Sequence, residues 1–228
     1  MAVSDSRTAL ASLSVVIPTL NAAAALPATL ACLRDAGEVV VADGGSVDAT
    51  RQVAAAAGAV VIAAPRGRGA QLAAGIAAAR HDWLLLLHAD TRPATGWGAA
   101  AAAHMRDPGR AAYFRFALDA AHWKARALRR AVALRCRLFA LPYGDQGLLI
   151  HRNLLAAAGG MRTLPLMEDV DLVRRLGRRR VVALPTDAVT SAVRWERQGW
   201  FRRSARNLLC LCLYFAGVPP TAILRLYE

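Results

Sequence analysis

The sequence predicts an α/β fold, a mixed but mostly parallel sheet flanked by helices. Short apolar runs rich in β-branched residues alternate with alanine-rich helical stretches through the first half, the rhythm of strands joined by crossover helices. Three of those runs end in polar or acidic residues, and the strand ends of an open parallel sheet are where ligands collect. At 228 residues the chain can bury one sizeable core, so one α/β domain with a short appendage is the economical arrangement.

The expected strands of the first half cover 13–17, 39–42, 59–63 and 83–87, and the helices between them 26–35, 48–57 and 70–79. Each helix is introduced by turn or capping residues: Pro27, then Ser46 and Asp48, then Arg66-Gly67-Arg68-Gly69. The second half reads as helix 95–105, strand 111–118, arginine-studded helix 123–138, strand 147–150, helix 152–158, a Gly159-Gly160 break and helix 168–176. Final strands are expected at 181–184 and 189–193. This half extends the same sheet. The resulting division is a tail, 1–12; a domain, 13–195, with halves 13–94 and 95–195; and a C-terminal helical segment, 196–228. Residues 207–216 are apolar but well short of the roughly 20 residues that span a bilayer. With Arg202, Arg203 and Arg206 just ahead, the segment suits a membrane interface, the surface of its own domain, or a second copy in a homodimer.

Hydrophobic residues make up 56% of the chain, yet much of that is alanine, which favours helix and adds little core volume. The net charge is +13. Residues 1–114 hold nine basic and eight acidic side chains and residues 115–228 hold twenty and eight, so the excess lies in the second half. Lys124 is the one lysine among 29 basic residues, and arginine suits forked contacts with phosphate. Phosphorylated ligands and anionic headgroups fit that charge, as does a merely solvated arginine-rich surface. Nucleic acid is not expected, because no reader motif or aromatic stacking platform accompanies the arginines. Cys32, Cys136, Cys210 and Cys212 have no metal-ligand spacing and read as small hydrophobes in a reduced compartment. The first thirteen residues lack a secretory pattern, which predicts a cytoplasmic location, peripheral at the inner face of the membrane if the tail touches lipid.

The strand ends carry the candidate chemistry. The first ends in Pro18-Thr19-Leu20-Asn21, the second in Asp43-Gly44-Gly45-Ser46, the fourth in His88-Ala89-Asp90-Thr91. Asp43 sits where a carboxylate reaches ribose hydroxyls or a base edge, and Gly44 lets the backbone approach a ligand. Residues 18–25 contain no glycine, which argues against an ordinary dinucleotide fold. Phosphates would fall to Arg66 and Arg68, or to a divalent metal at the hard oxygen ligand Asp90, with a helix cap as that residue's alternative role. Glu168, Asp169 and Asp171 open a helix after Pro165. One of them could take a proton from an attacking hydroxyl, although such acids also offset a helix dipole.

Six ordered stretches resemble family 2 glycosyltransferases: 15–21, 41–50, 66–71 (Arg-Gly-Arg-Gly-Ala-Gln), 87–91, 144–147 (Gly-Asp-Gln-Gly) and 167–172 (Met-Glu-Asp-Val-Asp-Leu). The likeness spans about 13–195 and is nearest to small bacterial members with a His-Ala-Asp-Thr motif and an apolar C-terminal segment. It implies a GT-A fold, inversion at the anomeric carbon, a nucleotide-sugar donor such as a UDP-sugar, and Mn2+ or Mg2+ as cofactor. The acceptor it implies is a hydroxyl of an unidentified lipid-linked or small molecule. On the resemblance, Pro18, Thr19, Asn21, Asp43, Gly44, Arg66, Arg68, Gln71, His88, Ala89 and Asp90 serve the donor, with Asp90 on the metal. Asp169 is the general base with Glu168 beside it, and Gly144, Asp145, Gln146, Arg194 and Trp195 belong to the acceptor side. Ser191 stands where processive members carry glutamine, and His88 where the usual Asp-x-Asp has its first carboxylate. His88 is then either a metal ligand or a donor contact.

Two rivals are weighed. A nucleotidyltransferase would carry a glycine-rich activating loop that residues 18–27 lack. The other is a basic, membrane-associated protein that binds a nucleotide-sugar in a degenerate donor site without turnover.

Overall fold

The computed structural model describes residues 7–227; residues 1–6 of the expected tail and residue 228 lie outside it, as does the side chain of Arg194. One eight-stranded sheet carries strands from both halves. Its strands are β1 (Leu13–Thr19), β2 (Glu38–Asp43), β3 (Val60–Ala63), β4 (Trp83–Leu86), β5 (Thr91–Pro93), β6 (Ala111–Leu118), β7 (Leu148–His151) and β8 (Val181–Thr190). Their spatial order is β3-β2-β1-β4-β7-β6-β8-β5. The first four are mutually parallel, β7 runs antiparallel to β4 and β6, β6 and β8 are parallel, and β5 closes the edge antiparallel to β8.

Every residue of β1 is buried because both sheet faces are covered, which is why it reads as an unbroken apolar run. Side chains alternate between two cores. Val15, Ile17 and Leu85 pack toward Leu26, Leu30 and Trp97 on one face, and Val16, Leu84 and Leu86 toward Leu72, Ile76 and Val173 on the other. The helices are α1 (Leu26–Ala31), α2 (Thr50–Ala56), α3 (Arg68–Ala78), α4 (Trp97–His104), α5 (Trp123–Phe139), α6 (Arg152–Ala157) and α7 (Glu168–Leu176), then α8 (Val193–Gln198), α9 (Trp200–Phe215) and α10 (Pro220–Tyr227). Residues 7–10 are helical too, and Leu10 is 3% exposed.

Two expectations change. The strands expected at 181–184 and 189–193 are one strand, β8, and Val193 begins α8. Pro185 has no N–H for the ladder, and β8 passes it with a bulge: Tyr113 faces Ala183, and Arg115 next faces Asp187. The apolar C-terminal run belongs to a helix that starts earlier, at Trp200. Among the described residues no helix is long and apolar enough to cross a membrane.

Candidate functional site

Loops at the carboxyl ends of β1, β2 and β4 meet along one edge of the sheet. Asn21 has φ 51°, a left-handed conformation that asparagine tolerates. Its N–H donates to Ser46 Oγ at 2.8 Å and its Oδ1 accepts from Val47 N at 3.0 Å, while Ala22 N–H donates to Thr50 Oγ1 at 2.7 Å. The first and second loops are therefore laced together. Asp43, 2% exposed, anchors them. Its carboxylate accepts from Thr19 Oγ1 (3.2 Å), Gly45 N (3.2 Å), Ser46 N (2.9 Å) and Ser46 Oγ. Burial works to raise its pKa, but the hydrogen bonds from Ser46, Gly45 and Thr19 outweigh burial and hold it below the usual value. Gln71, expected on the donor, is a buried clip. Its Nε2 donates to the carbonyls of Thr19 and Ala42, and a Cβ on Gly44 would stand 2.9 Å from that nitrogen.

Beyond β4, His88 and Asp90 line a cavity with Arg68, Tyr143, Gly144, Asp145, Met167, Asp169 and Trp195, with room for about 90 Å3 of water-sized contents. Residues 68, 90, 145, 169 and 195, far apart in the chain, thus share one cleft. Glycines stand at two of its joints. A Cβ on Gly69 would lie 2.6 Å from the carbonyl oxygens of Arg162 and Leu164, so its absence lets the start of α3 slide under that segment. Arg68 Nε then reaches Glu168 Oε1 at 3.0 Å. A Cβ on Gly144 would lie 2.8 Å from His88 Cε1 and 3.3 Å from Asp169 Oδ2. Close backbone approach there lets Gly144 N–H donate to Asp169 Oδ2 at 2.6 Å. Asp169 Oδ1 accepts from Val170 N at 2.7 Å, so both carboxylate oxygens are oriented by backbone. Met167, just before α7, has φ 64°; a non-glycine residue in that region marks local strain at the turn that presents Glu168 and Asp169.

The electrostatics are those of crowded acids with a half-buried cation. Burial pushes the Asp145 carboxyl up to about 6; Arg135 opposes this, and Asp169 and Asp90 add to it. Burial likewise raises Glu168, which is 0% exposed, against the opposing pull of Arg68. For Arg68, burial would lower the pKa, but Glu168, Asp169, Tyr227 and Asp145 more than offset it. Asp145 Oδ1 and Glu168 Oε2 are buried without a hydrogen-bond partner among the described residues. Asp171, in contrast, is occupied structurally by Arg162 (3.1 Å) and Arg175 (2.8 Å).

Several expected site residues lie elsewhere. Arg66 is exposed in the loop before α3. Ala89 presents its carbonyl to Thr29 Oγ1 at 2.8 Å. Gln146, expected on the acceptor side, is 1% exposed: its Nε2 donates to Phe114 O at 3.1 Å and its Oε1 accepts from Arg135 and Tyr143 N, so it braces the loop from below. Arg203, which stands with Arg202 and Arg206 just ahead of the apolar segment, is 6% exposed and lines the cavity together with Asn207, Cys210 and Tyr227. Cys212, expected to be buried, is exposed. A sequence signal for the missed wall exists: Trp200, Arg203, Asn207, Cys210 and Tyr214 recur every three or four residues, one face of a helix. Arg203 and Asn207 are polar residues on that inward stripe.

The sequence model of glycosyl transferase family 2 matches residues 14–163. Glucosyl-3-phosphoglycerate synthase of Mycobacterium tuberculosis, in complex with Mn2+, UDP-glucose and phosphoglyceric acid, aligns with a TM-score of 0.63 at 19% identity, over 95% of this chain and 84% of that one. The same enzyme with Mg2+ and UDP gives 0.62 at 21% identity over 95% and 84%. A further mycobacterial protein gives 0.55 at 22% identity over 82% and 67%. A comparison with curated proteins returns no significant match.

Proposed function

The chain belongs to glycosyl transferase family 2 and has a GT-A fold, and from that premise we propose that it moves a sugar, with inversion, from a UDP-sugar to a hydroxyl of a small acceptor. The observation that carries the reading is the single cleft shared by Arg68, Asp90, Asp145 and Asp169. In the proposed reaction Asp169 takes the proton of the acceptor hydroxyl as its oxygen bonds to the anomeric carbon. The bond from that carbon to the diphosphate breaks on the opposite face, and UDP departs with the bonding electrons. Two backbone N–H groups fix the Asp169 carboxylate, and a carboxylate offers about four acceptor positions, so others remain for the proton. Arg68 faces the phosphate charge that develops on the leaving group. Asp43 and Asn21 shape the nucleotide loop from beneath.

The donor set suits a hard divalent cation. Among the described residues no three acidic, His or Cys side chains group into a metal cage, and Mg2+-type ions are typically held by one or two carboxylates with substrate phosphates completing the shell. Asp90 would supply the carboxylate and His88 a neighbouring donor. When bound, the cation supplies Lewis-acid neutralisation of the diphosphate. The neighbouring synthase, which carries Mn2+, UDP-glucose and phosphoglyceric acid in its complex, supports this donor chemistry.

Calorimetry with UDP and UDP-glucose, with and without Mn2+, followed by a donor-hydrolysis assay, tests the reading. We expect Mn2+-strengthened binding that Asp90→Ala makes insensitive to the metal. Absence of UDP binding under both conditions removes the donor site.

The outward face of α9 exposes Phe201, Leu208, Leu209 and Phe215 beside Arg202, a combination that favours peripheral attachment to an anionic bilayer. Flotation with phosphatidylglycerol vesicles tests it, and equal flotation of the Phe201→Ser, Arg202→Glu double variant removes it.

A further inference from the structure

The carboxylates of the cleft come from separate elements: Asp90 follows β4, Asp145 precedes β7 and Asp169 lies in the first turn of α7. One stretch touches two of these elements at once. Residues 141–146, between α5 and β7, put Tyr143, Gly144 and Asp145 on the cavity wall. On one side the Gly144 N–H holds Asp169 Oδ2 at 2.6 Å. On the other, the Asp145 carbonyl accepts from Thr190 Oγ1 at 3.3 Å, and that hydroxyl lies 3.1 Å from Thr91 Oγ1, next in the chain after Asp90. Thr91 and Thr190 are buried, so this second link is shielded from water.

The turn has little rigidity of its own. Gly144–Gln146 is a single 3-10 turn, whose hydrogen-bond geometry is poor. Ala140, at φ 49°, ends α5 in a left-handed conformation that costs a residue with a Cβ. What imposes the shape is Arg135, near the end of α5. Its Nε donates to Leu141 O at 2.9 Å, its Nη2 donates to Gln146 Oε1 at 3.2 Å, and its guanidinium carbon lies 3.4 Å from the Tyr143 ring centroid. One side chain thus holds the stretch at its start, middle and end. Only a planar fork with a face free for an aromatic ring makes all three contacts. Gln146 passes the restraint on, because its Nε2 donates to Phe114 O of β6 at 3.1 Å. Arg135 itself stands behind the cavity wall and does not line it.

We propose that Arg135 is a positioning residue for sugar transfer, clamping the 141–146 turn so that Asp169 and Asp145 keep a fixed offset from Asp90. The proposal rests on the donor reading above. Arg135 acts through the turn, so its loss changes the alignment of the reacting groups and leaves the nucleotide loops after β1 and β2 as they were.

The test compares the full-length wild type with Arg135→Gln, which removes the fork, the charge and the stacked face together. UDP affinity by calorimetry with Mn2+ should stay at the wild-type level. Hydrolysis of UDP-glucose, with water as the acceptor, should lose about tenfold to a hundredfold in kcat, the scale of a small misplacement of reacting groups. The Gly144 amide, followed by NMR hydrogen exchange, should exchange about tenfold or more faster, as expected for one weakened hydrogen bond, and this rise should exceed any in the β1 amides. Arg130→Gln, at an exposed position of the same helix, should leave all three measurements unchanged. Wild-type kcat or wild-type Gly144 exchange in a folded Arg135 variant overturns the proposal. So does an equal acceleration of the Gly144 and β1 amides, which is general loss of stability, or an equal effect of Arg130→Gln, which is loss of charge alone. Arg135→Lys, with no fork, carries the same expectations if the glutamine variant does not fold. Failure of the wild type to bind UDP counts against the donor reading, whereas intact UDP binding with unchanged hydrolysis in the variant counts against this one. Where water is too poor an acceptor for hydrolysis to be measured, the Gly144 exchange decides alone.

Discussion

Replacing Asp169 by asparagine is usually regarded as a silent way to remove a base, and here it should not be silent. Both carboxylate oxygens accept a backbone N–H, from Gly144 at 2.6 Å and from Val170 at 2.7 Å. An asparagine has one oxygen, so either rotamer turns its NH2 toward one of those N–H groups. One backbone hydrogen bond is lost and two donors face each other, at a cost of about 1–3 kcal/mol. For a chain of this size each kcal/mol moves Tm by roughly 2–4 °C, so Asp169→Asn should melt about 2–12 °C below the wild type. Turnover should fall by at least about a hundredfold, the usual scale of a lost general base, while UDP affinity is retained. The measurements are thermal melting by circular dichroism, UDP titration and steady-state turnover well below the lower Tm. Unchanged turnover rules Asp169 out as the base, and an unchanged Tm refutes the two-donor argument.

Asp43→Ala leaves the Gly45 and Ser46 N–H groups without their acceptor and should cost roughly 2–4 kcal/mol and weaken UDP binding; a normal UDP Kd in calorimetry would show that the loop does not serve the nucleotide. Glu168 has a raised pKa in the fold through burial, so its favourable contribution is complete below the ordinary 4.5 and fades as pH rises through the raised value. Melting curves of Glu168→Gln should therefore gain on the wild type from pH 5 to pH 8, and a constant Tm difference would contradict this. Gly69→Ala drives a methyl group against two backbone carbonyls 2.6 Å away. It should destabilise by about 1–3 kcal/mol or more, visible as a lower Tm.

Much of this architecture is legible from residue order because each strand of the parallel half is bounded by a change of chemistry. The expected strand at 111–118 and helix at 168–176 coincide with β6 and α7. β5 could not be read in advance: Thr91-Arg92-Pro93 has no strand signature and is a strand only because β8 lies beside it. The continuity of β8 through Pro185 is not legible either, because a local rule against proline in a ladder is overridden by a bulge opposite β6.

The site divides in the same way. Strand-end logic singled out Asp90, and the acidic opening of a helix singled out Asp169, because backbone topology dictates where those positions go. Side-chain direction is not so dictated. Gln71 and Gln146 stand within the right motifs, yet each turns inward to hydrogen-bond backbone. The burial of Arg203 is hard to read in advance, because charge is more visible in a sequence than a three-and-four spacing that crosses an apolar run.

The origin of the two sides of the cleft has an evolutionary consequence. Loops of the sheet supply Arg68, His88, Asp90 and Asp145 to the cleft, whereas Arg203, Asn207, Cys210 and Tyr227 come from the closing helices of the chain. Selection can therefore reshape one wall of the cleft by altering the terminal helices while the wall built by the sheet loops stays intact.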